Sequence, residues 1–431
     1  MDYRNIRKSK GWIYNTLIPF IHLEYRMLFR KIYLHNKKGV LSDKPVLIAA
    51  NHPTAFIDPI FFCIFFDPPV YNMTRGDIFR KPFYRKLLEH CNMFPVYRQR
   101  DGYEKRDRND EVFEYCQQRM LEGVAVNIFV EGEHHLDKRV LPIQKGIARI
   151  AFGTYENYPM DDLQIVPVGC NYVAGDTIRD EAKIIVGTPI FIKDYWARYQ
   201  ENPNATISTL CTDIRNALIS ICYHIEDPSD DVLAEHLLTL WRNDHPGRYL
   251  PIVERRADRF FAEKELLDQL NVMPVDQKNN LRTQTDTYFK AIKAAGLQDE
   301  TLVQPEQGNW AWLLFFILGF LPRLIGGIAR FPVQSLAEYV AKKKVKKREF
   351  KTSVLMGIGA LSTSFYLMIL LITGILMGWP ILISLTILLP VLSWFSIFWD
   401  ERLAHWRAAR AALRHPQREQ LLALRSGIEV F

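Results

Sequence analysis

Val46-Leu47-Ile48-Ala49-Ala50-Asn51-His52-Pro53-Thr54-Ala55-Phe56-Ile57-Asp58-Pro59 is the stretch on which the reading of this chain turns. Five apolar residues come first, and so short a run, bounded by a polar turn, predicts a buried strand over Val46–Ala50. Asp58 before Pro59 predicts a helix start, the carboxylate as cap and the proline in the first turn. Ile60–Phe66 then supplies an apolar body. His52 therefore falls in a loop at a strand's C-terminal end, where layered α/β folds gather functional groups. By itself this His–Asp pair reads first as a hydrogen-bonded turn residue and a helix cap. Its chemical reading is a general base whose tautomer is held by a carboxylate.

The same alternation continues downstream. Glu111–Leu121 reads as helix, Val124–Val130 as strand, and Gln164–Val168 and Ile184–Val186 as further strands. Strands alternating with helices to about residue 225 predict an α/β layered domain over 41–225, a mixed sheet with flanking helices. Upstream, Gly11–Asn36 mixes Trp12, Ile13, Tyr14, Leu17 and Phe20 with Arg26, Arg30 and Lys31. It is too polar to span a bilayer, and reads either as a helix lying in the membrane interface or as one packed on the main domain; residues 1–40 are assigned to interfacial N-terminal helices. Residues 226–305 are charged and helical in tone, with loop signals at Asp244-His245-Pro246-Gly247 and no chemical motif.

The last third is different. Val354–Met377 and Ile381–Trp399 carry no charge and flank Gly378-Trp379-Pro380. At ~20 residues per span they predict a transmembrane hairpin. Basic residues stand at both ends, Lys342–Lys344 with Lys346, Lys347 and Arg348 before it, and Arg402, Arg407, Arg410 and Arg414 after it, which predicts that both ends are cytoplasmic. Trp310–Arg330 is interrupted by Pro322-Arg323 and Gly326-Gly327. Because a charge at mid-depth costs ~3 kcal/mol or more, 310–330 is expected to be kinked or re-entrant and to return to its side of entry. The membrane region is thus 306–400, followed by a basic cytoplasmic tail over 401–431. The expected protein is multi-pass, with its α/β domain on the cytoplasmic side.

Bulk properties agree. The net charge of +7 over 431 residues sits largely beside the apolar runs, which favours an anionic membrane surface over nucleic acid as partner. The cysteines (63, 91, 116, 170, 211 and 222) form no C-x-x-C pair and are expected to be buried free thiols in a reducing compartment. No cleavable signal peptide is expected, since Trp12–Leu23 is broken by Asn15, Pro19 and His22.

Two further clusters carry chemistry. Phe94-Pro95-Val96-Tyr97-Arg98 leads into a basic stretch with Lys105, Arg106 and Arg108. Arginine suits phosphate, and a solvated charged loop is the other reading. Phe129-Val130-Glu131-Gly132-Glu133-His134-His135 closes the predicted strand at Val124–Val130. Adjacent residues of a strand face opposite ways and the helical H-E-x-x-H spacing is absent, so no metal is expected. There is no G-x-S-x-G elbow. A His–Asp pair without a nucleophile suits direct attack of an acceptor hydroxyl on an activated acyl thioester.

Taken together, these segments resemble the glycerolipid acyltransferase family, the group of bacterial lysophosphatidic-acid and glycerol-3-phosphate acyltransferases. Asn51–Pro59 is like the family's Asn-His…Asp block, Phe94–Arg98 like its Pro-Val-x-Arg block, Phe129–Gly132 like its Phe-Pro-Glu-Gly block, and Ile165–Gly169 like its last apolar proline block, in that order over about residues 40–190. The resemblance implies that His52 is the general base and Asp58 its partner, that Arg98 binds the acceptor phosphate, and that Glu131 and Gly132 shape the acceptor site. The five residues between His52 and Asp58, one more than usual, are similar to the fungal-type glycerol-3-phosphate acyltransferases, in which a His sits where His135 falls. The motif proline is Val130 here, and the usual Thr-Arg is Glu133-His134. Lys138, Arg139 or Lys145 would then replace the missing cation. The implied reaction moves a fatty acyl chain from acyl-CoA or acyl-carrier protein, as co-substrate without a further cofactor, to glycerol 3-phosphate or its 1-acyl form, and the product is a membrane lipid. Transfer to another lipid acceptor and a thioesterase-like hydrolysis are the alternatives.

Overall fold

The computed structural model describes residues 12–36, 44–66, 69–96, 108–304 and 309–428. Its strands are β1 (Phe29–His35), β2 (Val46–Ala50), β3 (Val70–Arg75), β4 (Met93–Val96), β5 (Ala125–Phe129), β6 (Gln164–Tyr172), β7 (Asp180–Val186), β8 (Ile190–Phe191) and β9 (Val253–Glu254). They form one mixed sheet in the order β4-β3-β5-β2-β6-β7-β1-β9, with β8 on β6. β2 is parallel to both β5 and β6, while β6 and β7 run antiparallel. All five β2 side chains are fully buried, which is why this run shows no polar alternation. The helices over this sheet are α1 (Trp12–Leu28), α2 (Ile57–Phe65), α3 (Pro82–His90), α4 (Arg108–Leu121), α5 (Gly146–Asn157), α6 (Lys193–Glu201) and α7 (Pro203–Ile221). The α/β layered class expected from the sequence is the observed one.

The chain divides into two compact units, and the first is residues 1–224 with 250–258 and 346–353. Its boundaries differ from 41–225 in three places. The region 11–36 is not all helix, because α1 ends at Leu28 and β1 follows. β1 lies between β7 and β9 and buries Lys31 as well as Ile32, so no period-2 pattern marks it. The second difference explains that buried lysine. Val253–Glu254, inside the stretch expected to be helical, pairs with Ile32–Tyr33 and brings the Glu254 carboxylate to 2.7 Å from Lys31 Nζ. A buried ammonium needs such a partner. The third is the short segment 346–353. The C-terminal half of α1 packs on the domain, with Tyr25 fully buried, its ring edge-on to Phe61 at 4.7 Å and its hydroxyl donating to Ile57 O at 2.7 Å.

The second unit holds α8 (Asp231–Asp244), α9 (Asp258–Val272, all but its first residue), α10 (Val275–Ala295), α11 (Asp299–Val303), α12 (Ala311–Lys344), α13 (Lys351–Leu376, from Val354 onward), α14 (Pro380–Leu413) and α15 (Arg418–Ser426). Within the stretch expected as a basic tail, residues 401–428 are largely helical. α14 runs on to Leu413, and α15 places Arg425 against Asp299 at 2.8 Å and Asp244 at 2.8 Å. The apolar element expected at 310–330 is longer: one helix runs through Pro322 and Pro332 to Lys344. α12, Arg348–Leu376 and α14 are each long and apolar enough to cross a membrane. Gly326 faces the Leu392 carbonyl so closely that a β-carbon would fall 2.0 Å from it. Arg323 and Arg330 both reach the Asp400 carboxylate, Arg323 Nε at 2.8 Å.

Candidate active site

β2 delivers the site. Just beyond its end, the Asn51 side chain donates to Cys170 O at 3.0 Å and accepts from Cys170 N at 2.7 Å, extending the β2–β6 pairing through one amide. His52 comes next, at the C-terminal end of a central parallel strand. Its ring stacks on Phe129 of β5, centroids 3.7 Å apart and planes within 11°. The imidazole is thus held on one face by a side chain from the neighbouring strand and on its edge by a carboxylate.

That carboxylate is Asp58. It is fully buried, and Oδ2 lies 2.9 Å from His52 Nδ1. An ionised carboxylate only accepts, so Nδ1 carries the proton and Nε2 keeps its lone pair. Thr54 N donates to the same oxygen at 2.8 Å. On Oδ1, Thr54 Oγ1 and Tyr172 OH donate at 2.8 and 2.6 Å. Four donors thus replace the water that burial removed, which is what a buried anion requires. Burial first, and the Asp58 charge second, push the Tyr172 phenol well above its ordinary pKa, so it stays protonated and donates.

Asp58 is not the cap of its helix. Phe56 occupies the N-cap position and Asp58 lies within the first turn, its oxygens turned back to Thr54 and His52. The first-turn position of Pro59 is as expected. Thr54 and Tyr172 were not singled out from the sequence. Thr54 was within reach, since a hydroxyl between a His and an Asp is a ready donor. Tyr172, at the far end of β6, carries no local signal.

The second cluster adjoins the first. Glu131 is buried, with Oε1 accepting from Leu141 N at 2.9 Å and Oε2 3.2 Å from His135 Nε2. Gly132 has φ +76°, and a β-carbon there would press on Gln144 at 3.1 Å, so the turn after β5 requires glycine. His135 N donates to His52 O at 3.3 Å, joining this turn to the His52 loop. Burial works against a charged His135, but the Glu131 hydrogen bond and charge, with Asp137, more than offset it, and its pKa is raised. His134 lies edge-on to His52, centroids 5.7 Å apart.

The structure therefore brings His52, Asp58, Glu131, Gly132 and His135 together. Lys145 is exposed just before α5, and among the described residues no hydrogen bond or ion pair joins it to His52 or Glu131. Lys138 Nζ donates to Val173 O at 2.9 Å. Arg98 lies outside the described residues. No group of three or more His, Cys, Asp or Glu is placed to hold a metal among the described residues.

A buried carboxylate holding one edge of an imidazole, on a strand–loop–helix unit of a mixed α/β domain, is an arrangement with the chemistry to serve as a general base. Residues 31–171 match the family model described as Acyltransferase. The chain is 25% identical to glycerol-3-phosphate O-acyltransferase 2 of Saccharomyces cerevisiae over 288 residues, 64% of this chain and 38% of that protein. Glycerol-3-phosphate O-acyltransferase 1 of the same yeast is 26% identical over 243 residues, 53% of this chain and 31% of that one. The chain thus spans only about a third of the length of these relatives. Among solved structures, the 1-acyl-sn-glycerophosphate acyltransferase of Thermotoga maritima aligns with a TM-score of 0.36 and 14% identity over 49% of this chain and 81% of that one.

Proposed function

We propose that the α/β unit transfers a fatty acyl chain from a thioester donor, acyl-CoA or acyl-carrier protein, to a hydroxyl of glycerol 3-phosphate or 1-acylglycerol 3-phosphate. One observation carries the reading: the Asp58–His52 hydrogen bond leaves Nε2 as the basic nitrogen of a side chain that is 15% exposed. In the reaction, Nε2 takes the acceptor hydroxyl proton as the oxygen attacks the thioester carbonyl. The tetrahedral intermediate collapses, the C–S bond breaks, and the imidazolium returns its proton to the leaving thiolate. Asp58 stabilises that imidazolium and fixes the tautomer, a contribution of ~10²–10⁴ in rate for such a base. Arg98 is proposed to bind the acceptor phosphate, and Glu131, Gly132 and His135 to shape the acceptor side.

The test is transfer of a labelled acyl group by the purified full chain, with each donor and each acceptor in turn. Product with glycerol 3-phosphate or its monoacyl form, lost in His52→Ala and Asp58→Ala, is the expected result. Thioester consumption that needs no acceptor would make the protein a hydrolase instead, and acylation of a different lipid alone would reject the phosphorylated acceptor.

The membrane arrangement follows from parity. Residues 250–258 and 346–353 belong to the same unit, and among the described residues α12 is the one helix between them long and apolar enough to cross a membrane. One full crossing by α12 would separate the two segments by a bilayer. We infer that α12 enters the membrane without crossing it and that α13 and α14 cross as a hairpin. The basic run Lys342–Arg348 supports the cytoplasm as the shared side.

A further inference from the structure

The segment 346–353 is close in space to the site although nearly 300 residues separate it from His52. It touches two loops at once. On the loop between β2 and α2, Glu349 O accepts from Ala55 N at 3.4 Å and Ser353 Oγ accepts from Phe56 N at 3.0 Å. On the loop after β6, Thr352 Oγ1 donates to Gly175 O at 2.9 Å and Arg348 Nε lies 2.8 Å from Asp176 Oδ2. Thr352 and Ser353 are 1% and 4% exposed. Phe350 stands edge-on to His134, centroids 4.7 Å apart at 88°, and His134 in turn stands edge-on to His52.

These contacts answer a local need. Phe56 is the N-cap of α2, and Pro59 at the third helical position has no side-chain acceptor for the Phe56 N–H. The hydroxyl of Ser353 serves the Phe56 N–H from outside the helix. The two loops held by the segment are those that meet at Asp58: the first carries His52 and Thr54 and leads into the helical turn with Asp58, and the second follows Tyr172, whose hydroxyl donates to Asp58. A segment bonded to both sets the distance between them. The chain passes from Ser353 straight into the uncharged stretch Val354–Met377.

We propose that Thr352 and Ser353, with Arg348, are positioning residues for the His52–Asp58 pair, a role that rests on the acyl-transfer reading above. They touch neither reacting group. They clamp the β2–α2 loop to the loop after β6, so that Asp58 meets its donors and the imidazole keeps its attitude. Misplacing a catalytic group by about 1 Å can cost up to about 10²-fold in rate.

The test uses the full chain and measures kcat, KM for donor and acceptor, and thermal unfolding for Ser353→Ala, Ser353→Thr, Thr352→Val and Thr352→Ser. The expected result is that Ser353→Ala and Thr352→Val lower kcat about tenfold and leave both KM values within about twofold. The hydroxyl-retaining Ser353→Thr and Thr352→Ser should recover most of the loss. A wild-type kcat in Ser353→Ala and Thr352→Val overturns the proposal. So does a loss that follows the folded fraction and is the same whether or not the hydroxyl is kept. Wild-type transfer that is absent in His52→Ala but full in Ser353→Ala would reject the positioning role alone. No transfer by the wild type would reject both readings.

Discussion

At the scale of single residues, the site is a carboxylate taken out of water and given back four donors. Each donor has a separate consequence. Tyr172→Phe removes the 2.6 Å bond to Asp58 Oδ1 while leaving the ring in place. Hydrogen bonds to charged groups contribute about 1.5–3 kcal/mol, so kcat for acyl transfer should drop roughly tenfold or more with KM little changed. Steady-state rates equal to wild type would show that Thr54 alone suffices on that oxygen. His135 makes a pH-dependent contribution. Its folded pKa is raised above the ordinary 6.5 by Glu131 and Asp137, so its stabilisation is fully present below pH 6.5 and is lost as pH climbs through the higher folded value. Unfolding temperatures of wild type and His135→Asn should therefore differ most near pH 6 and converge at alkaline pH. A gap that is constant or widens with pH would contradict the Glu131–His135 pairing.

At the scale of elements, β2 and β6 are the frame. β6 is buried over its whole length, and Gly169 on it faces α7 so closely that a β-carbon would sit 2.2 Å from Ile221 O. The obstacle is backbone, which cannot swing aside as a side chain can. Gly169→Ala should cost roughly 2–4 kcal/mol of stability, whereas Gly146→Ala, with open space at that point, should cost little. Thermal unfolding of the two variants side by side checks this, and equal midpoints would mean that α7 can retreat from β6. The elements whose burial is one-sided or complete were legible: β2 has the predicted bounds, and β5, β6 and β7 each contain or closely match a predicted strand. β1 and β9 were not, because the charge pair between them, a buried Lys31 and a part-exposed Glu254, makes both look like surface.

At the scale of the whole molecule, chain connectivity constrains the membrane arrangement more than composition does. By length and apolarity α12 is as good a span as the other two. Cysteines introduced as Asn309→Cys, Lys347→Cys and Gln417→Cys should all react with an impermeant maleimide from the cytoplasmic face of sealed vesicles, and Met377→Cys from the other face. Asn309→Cys and Lys347→Cys labelling from opposite faces would make α12 a full crossing.

The local geometry of the candidate site was written largely in the sequence. A short apolar run, a His–Asp pair and a Glu-Gly turn each lie within a few residues, and strand period, proline and glycine impose their shape there whatever the rest of the chain does. What the tertiary structure decided is everything that reaches the pair from a distance. Tyr172 stands 114 residues from Asp58 and Ser353 stands 297 from Phe56. A hydroxyl's partner at such separations depends on which strands become neighbours, and strand order is a property of the folded sheet. Asp58, which sequence logic makes a helix cap, instead turns back to three donors within six residues of it on His52 and Thr54, and the folded sheet adds the fourth from Tyr172.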